Sequence, residues 1–263
     1  MDLGQSSRLA LLDRAAALAG EDASFARFLK AAILATDGED LKRQSPEGFE
    51  AGLRHAYQGL LNYSGEGSQL TVTPPARPGD PLVLDIVSPD MPFIVDSALA
   101  AVRAAGGTVR MFAHPVVRLE AGKVSDKSGR ALSLLHIHSD PVADLEALTA
   151  EVEATLVDVT RAVRDWQPML ERLRRGIGAL EGSANVFKDE PLRFLDWLIE
   201  HNFTFLGMRE YRLADGALMP VVGSGLGILH DPDLKVLRSG SSFVESTPQH
   251  TAFMNSSEPL LVT

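Results

Sequence analysis

The hydrophobic period of this chain changes once, at a run that neither a helix nor a central strand can cross. Pro74-Pro75-Ala76-Arg77-Pro78-Gly79 puts three prolines and a glycine into six residues. Proline lacks the backbone N–H and fixes φ, so regular ladders stop there. Before the run, apolar residues recur at helical spacing. Leu9, Leu12, Ala16 and Ala19 do so until Gly20, and Phe25, Phe28, Leu29 and Ile33 follow the cap candidates Asp22 and Ser24. Phe49, Leu53, Tyr57 and Leu60 follow Ser45-Pro46, where serine suits a cap and proline the first helical position. Asn62 to Gly67 is turn material. The proline run is therefore read as a domain boundary closing a helical segment over residues 1–74.

After the boundary the pattern alternates between strand and helix. Leu82-Val83-Leu84-Asp85-Ile86-Val87 is a short, β-branched-rich run. Ser88-Pro89-Asp90-Met91-Pro92 turns the chain, and Phe93 to Ala105 is helical up to Gly106-Gly107. Thr108 to Leu119 and Ala131 to His138 read as strands separated by the polar turn Gly122 to Arg130. With the helix that follows, this is most of the β-α-β-β-α-β order of a ferredoxin-like sheet. That helix carries a seam of Leu156, Val159, Val163, Trp166, Leu170, Leu173, Ile177 and Leu180 at alternating steps of three and four. The seam serves either the protein's own core or a second helix, and Pro168 inside it predicts a kink or a new start. Beyond it, Pro191 to His201 is an amphipathic helix, and Phe203–Leu213 with Leu218–Val222 predicts a hairpin around Ala214-Asp215-Gly216. The expected class is α+β: a helical segment, a ferredoxin-like module with its long helix over residues 75–182, and a second, partial α/β module over residues 183–263. The end, Pro259-Leu260-Leu261-Val262-Thr263, stops inside a β-like run and reads as cut short. The fourth strand of the ferredoxin-like sheet comes either from Phe203–Leu213 or from elsewhere.

Composition narrows the function classes. With 25 Lys+Arg against 35 Asp+Glu the net charge is −10, which argues against nucleic acid or an anionic membrane as partner. Zero cysteines exclude a disulfide framework, a thiol nucleophile and cysteine-based zinc sites. The start Met1-Asp2-Leu3-Gly4-Gln5 is no signal peptide, and no apolar run approaches the roughly 18 residues of a membrane span. The expected location is the cytoplasm.

Four constellations are candidates for chemistry. Gly223-Ser224-Gly225-Leu226-Gly227 resembles a dinucleotide loop, but Ile228 stands where the third glycine belongs and Asp231-Pro232 follows instead of a helix. A glycine-rich turn is the plainer reading. His136 and His138 project from one strand face and begin either a metal site or a hydrogen-bonded pair, the pair being favoured because no third histidine lies near in sequence. His114, before Pro115, is read as structural. Asp90 lies in the turn that leads into a helix, whose first N–H groups are unsatisfied and carry partial positive charge. It either caps that helix or takes the amine of a small ligand whose carboxylate docks on those groups. Asp96 has no assigned role. No serine elbow, phosphate loop, metalloprotease helix or paired-carboxylate motif occurs.

Ser88-Pro-Asp-Met-Pro-Phe-Ile-Val-Asp-Ser97 followed by Phe112-Ala-His-Pro-Val-Val-Arg118 resembles the N-terminal region of the large bacterial NAD-specific glutamate dehydrogenases. Further matches follow in order: His136-Ile-His138, Val163-Arg-Asp-Trp-Gln-Pro-Met169, Phe194-Leu-Asp-Trp-Leu198 and Asn202-Phe-Thr-Phe-Leu-Gly-Met-Arg-Glu-Tyr211, running on to Pro259–Thr263. The resemblance implies very long, homo-oligomeric chains that oxidise glutamate to 2-oxoglutarate and ammonia with NAD. Their N-terminal halves carry ACT-like modules, with the catalytic domain far downstream. It implies that this chain is a non-catalytic regulatory and assembly segment with no cofactor of its own, NAD serving the parent enzyme. Its implied partners are the rest of the parent chain, further copies met through sheet edges and the long helix, and an amino-acid effector. ACT modules often bind amino acids at the first strand–helix turn, through Asp-x-Pro-Gly. Here that turn is Asp90, Met91, Pro92 and Phe93, with Phe93 in the glycine position, where its ring is expected to fill the pocket or turn into the core.

Overall fold

The computed structural model describes residues 3–43, 45–184, 188–214 and 217–231. Its contacts separate into two compact units, residues 1–157 and 158–263.

In the first unit the helical pattern becomes four helices, α1 (Leu3–Ala19), α2 (Ala23–Leu34), a short α3 (Gly38–Lys42) and α4 (Pro46–Leu61). Asp22 caps α2 by accepting from the Phe25 N–H at 2.9 Å, and Ser45 caps α4 by accepting from Gly48 at 3.0 Å. Ser24 is no cap. It is buried, and its hydroxyl oxygen accepts from the Tyr57 hydroxyl and from the Val124 N–H, both at 2.7 Å. Phe25, Phe28 and Tyr57 form an aromatic cluster with centroids 5.1 to 6.0 Å apart.

Six strands form one antiparallel sheet: β1 (Gln69–Thr73), β2 (Leu82–Pro89), β3 (Val109–Ala113), β4 (Val116–Glu120), β5 (Lys123–Ser125) and β6 (Arg130–Ser139). Their order is β1-β2-β6-β4-β5, with β3 beside the far half of β6. The expected strand Thr108–Leu119 is two strands, interrupted at His114-Pro115, because proline has no N–H to give a ladder. Helix α5 (Ile94–Ala104) joins β2 to β3, and α6 (Leu145–Glu181) follows β6.

The fourth strand beside β2 is β1, which precedes the module in sequence. Gln69 to Thr73 pair with Val87 to Val83, so of the two sources left open the strand comes from elsewhere than Phe203–Leu213. The proline run 74–79 is the loop of this hairpin, and the boundary expected there falls between two paired strands. Sequence reading missed β1 because its five residues carry only two aliphatics between turn signals.

The sheet is buried on both faces. Val87, Met111, Val117, Val124, Leu132 and Leu134 pack against α1, α2 and α4. Leu82, Leu84, Ile86, Leu135 and Ile137 pack against α5 and the start of α6 through Ile94, Ala98, Val102, Leu148, Val152 and Leu156. Each fully buried aliphatic contributes about 2 kcal/mol.

In the second unit, α6 continues without interruption past Pro168, so of the two expected outcomes no new helix starts there. Of its seam in this unit, Val159, Leu170 and Ile177 are buried, Val163, Leu173 and Leu180 are half-buried, and Trp166 is exposed. Helix α7 (Asp189–Trp197) runs into a π-helical turn at Leu198–Asn202. The expected hairpin is β8 (Tyr211–Ala214) with β9 (Ala217–Pro220), whose turn residues 215–216 lie outside the described residues. β7 (Gly207–Met208) pairs with β10 (Leu226–Gly227), and Ile228–His230 is a 3-10 turn. The run Pro259–Thr263 also lies outside the described residues.

Because the first unit's sheet needs no strand from beyond residue 157, a fragment of residues 1–157 is expected to fold alone. Far-UV circular dichroism should show a cooperative melt, and deletion of β1 should abolish it.

Candidate functional site

The first strand–helix turn lies where β2 ends. Phe93 occupies the N-cap of α5 with φ 69° and ψ −8°, the left-handed region. A side chain there costs about 1–2 kcal/mol, and glycine would be free of the cost. The ring is 51% exposed, so it neither fills the turn nor enters the core. No side chain caps α5, and exposed Asp90 is not its cap, so the first amides of the helix keep their partial positive charge. Met91 is half-buried and Pro92 exposed. Asp96 sits in the first turn of α5, a place that suits an acid.

Around this turn lie Ser88 and Ser133, paired across β2 and β6 and both buried. His114 Nε2 and Ser133 Oγ are 2.8 Å apart. Burial lowers the His114 pKa below the usual histidine value, against the pull of the Asp90 carboxylate. The break in β3–β4 that frees His114 also anchors the helical layer. Thr36 bridges to Ala113, the His114 N–H donates to the Ala35 carbonyl at 3.3 Å, and Arg8 donates to the Thr36 carbonyl at 2.6 Å. This end of the sheet thus combines an uncapped helix start, an exposed carboxylate and a histidine whose proton affinity burial lowers.

His136 and His138 share one face of β6, as the two-residue period requires. Their Nε2 atoms are 2.9 Å apart, so one shares a proton with the other. His136 Nδ1 lies 2.5 Å from Asp85 Oδ1, in register across β2, and both residues are buried. Gly52 of α4 passes over the His136 ring, and a Cβ there would stand 3.8 Å from Nε2. Burial, followed by the charges of His136 and Arg110, lowers the His138 pKa to about 4. Among the described residues no group of three or more His, Cys, Asp or Glu is placed to hold a metal ion, Asp85 being bonded to the Nδ1 side of His136, away from the Nε2 atoms, and the positive charge of Arg110 opposes a cation. The arrangement is a hydrogen-bonded chain. Asp85 Oδ2 is buried without a hydrogen-bond partner among the described residues. Sequence reasoning missed Asp85, although an acid inside the apolar run Leu82–Val87 was a signal.

The glycine run is a clamp within the second unit. Asp165 of α6 accepts from the Gly227 N–H at 2.8 Å, and Arg164 beside it holds the Asp165 carboxyl below the usual range. Arg172 donates to the Ser224 carbonyl and lies 3.1 Å from the Glu210 carboxylate. A Cβ on Gly225 or Gly227 would meet a backbone oxygen at 2.1 Å. These glycines serve close backbone packing, and the Gly227 amide that a phosphate would need is already taken by Asp165.

Comparison with known proteins bears on residues 28–155, which match the family described as "Glutamate dehydrogenase, ACT1 domain". Over 150 residues the chain is 32% identical to the NAD-specific glutamate dehydrogenase of Halomonas elongata, covering 49% of this chain and 9% of that protein. It is 28% identical to the same-named protein of Pseudomonas aeruginosa over 153 residues, 51% of this chain and 9% of that one. With the Mycobacterium tuberculosis protein of that name it is 33% identical over 104 residues, 36% of this chain and 6% of that one. The matched segment is therefore less than a tenth of the length of these relatives. No solved structure matches the chain. No helix among the described residues is long and apolar enough to cross a membrane.

Two outcomes are expected. The unfolded chain binds a proton at His138 below about pH 6.5, whereas the folded chain does so only below about 4. Stability should thus fall by about 3 kcal/mol between those limits and be unaffected above them. Denaturant melts of His138→Gln across that window should show a pH slope shallower by one proton. At Phe93, comparison of Phe93→Gly with Phe93→Ala should show glycine more stable by about 1 kcal/mol, which thermal melts can measure.

Proposed function

We propose, from the match of residues 28–155 to the ACT1 domain of glutamate dehydrogenases, that this chain is a non-catalytic regulatory and assembly segment of an NAD-dependent glutamate dehydrogenase. In this reading the parent enzyme converts L-glutamate, NAD and water to 2-oxoglutarate, ammonia and NADH, and its nicotinamide site and catalytic residues belong to other parts of the polypeptide. The ordered match of 28–155 to the ACT1 domain carries the reading. The chemistry of this chain's own residues supports it. The paired histidines form a closed hydrogen-bond chain with Asp85, and the glycine run is a clamp on α6. In this reading both constellations do structural work.

A second reading rests on the turn at Asp90–Phe93. The uncapped start of α5 suits a carboxylate, and exposed Asp90 suits an ammonium group, so the turn offers both ends of an amino acid a partner. Phe93 sits in the backbone conformation that glycine supplies elsewhere, so the path of the turn is kept and only the side chain differs. The turn is then the place where an amino-acid effector acts on the parent enzyme.

A thermal-shift panel of the chain against the twenty amino acids, 2-oxoglutarate and NAD decides between the readings. A ligand at one hundred times its dissociation constant adds about 2.7 kcal/mol. A shift with one or a few amino acids, lost in Asp90→Ala, makes the turn an effector site. No shift across the panel leaves assembly as the segment's role. A shift with NAD alone overturns the non-catalytic reading.

A further inference from the structure

In the first unit the amphipathic faces of α2, α4 and α5 are buried against the sheet. Helix α7 differs. None of its residues is buried, although its apolar and polar residues segregate to different sides. Phe194 and Trp197 are 41% and 47% exposed, and their rings stack with centroids 6.1 Å apart at 19°. Such a pair left in water marks an interaction surface. Around it stand the exposed acids Asp189, Glu190, Asp196 and Glu200, with Arg193 and, at the helix start, Lys188, which is bonded to the Glu181 and Ser183 carbonyls, as the cations among the described residues.

The same unit carries a surface of opposite sign. At helical spacing, the outward side of α6 presents Arg164, Pro168, Glu171, Arg174, Arg175 and Gly178, all exposed. Arg164 is forked onto Asp165, which leaves Arg174 and Arg175 against one glutamate, and proline and glycine keep the surface low enough for a second helix to approach. Guanidinium groups stack on the faces of indole and phenyl rings and form forked bonds to carboxylates. The α6 surface therefore offers both contacts that α7 presents.

We propose that two copies of this chain associate reciprocally, the acid-flanked Phe194–Trp197 stack of each copy docking on the arginine-bearing side of α6 in the other. The inference rests on the assembly reading above and names its interface. A two-fold arrangement uses both surfaces twice and closes, whereas a one-way contact would leave one of each open. Because each copy carries a net charge of −10, association needs such a local match of sign to overcome the general repulsion.

Sedimentation velocity of the full 263-residue chain over a range of concentrations tests the proposal. A monomer–dimer equilibrium is expected. Trp197→Ser, Phe194→Ser, the pair Asp196→Arg with Glu200→Arg, and the pair Arg174→Glu with Arg175→Glu should each weaken it about tenfold or more. Combining the two charge-reversed pairs should restore much of the loss. These side chains are exposed, and circular dichroism of each variant checks that the fold is kept. A dimer of unchanged strength in all the variants overturns this interface while leaving the assembly reading in place. A chain monomeric at every concentration overturns both.

Discussion

Strand β6 is the constraint on which the first unit depends. It pairs with β2 from Leu132 to Ser139 on one side and with β4 and then β3 on the other. Both of its faces carry aliphatics: Leu132 and Leu134 on one, Leu135 and Ile137 on the other. A strand that is apolar on both faces cannot border water, so each side of the sheet requires its own layer of helices. Helices α5 and α6 supply one layer from within the module. The other comes from α1–α4, which therefore belong to the same core as the sheet.

The helical layer also explains the polar chain on β6. The two-residue period that directs Leu132 and Leu134 toward α4 directs His136 and His138 the same way. Beneath a helix, an imidazole needs partners or it costs free energy. Asp85 on β2 supplies one in register, and His138 supplies another. The residues that invite a metal reading in one dimension are thus the polar part of a layer interface in three. The second unit repeats the lesson with Asp165 and Arg172, two helical turns apart on α6, holding the backbone of a glycine run.

Much of the architecture was legible in particular residues. Asp22 and Ser45 marked helix starts because a side-chain oxygen at that position satisfies a local N–H whatever the rest of the chain does. The run Leu82–Val87, the helix up to Gly106-Gly107 and the strand ending at His138 were legible because their periods differ. The turn at Asp90–Phe93 stands where its residues place it, but the outward ring of Phe93 depends on a backbone angle that composition does not reveal. Pro168 left two outcomes open, and the chain keeps one helix through it. A proline deprives a helix of one hydrogen bond, and α6 runs on past that loss.

What the sequence determined by itself was local: the periods, the caps, the β-α-β-β order, the absence of cysteine chemistry and the charge of −10. These follow from interactions spanning a few residues, or from composition alone. Only the tertiary structure decided that β1 fills the edge beside β2, that the proline run is a hairpin loop, and that the histidines face Asp85. Each of those choices is made by groups far apart in the chain competing for the same edge, face or buried partner. The winner depends on which surface must be covered once the others are in place.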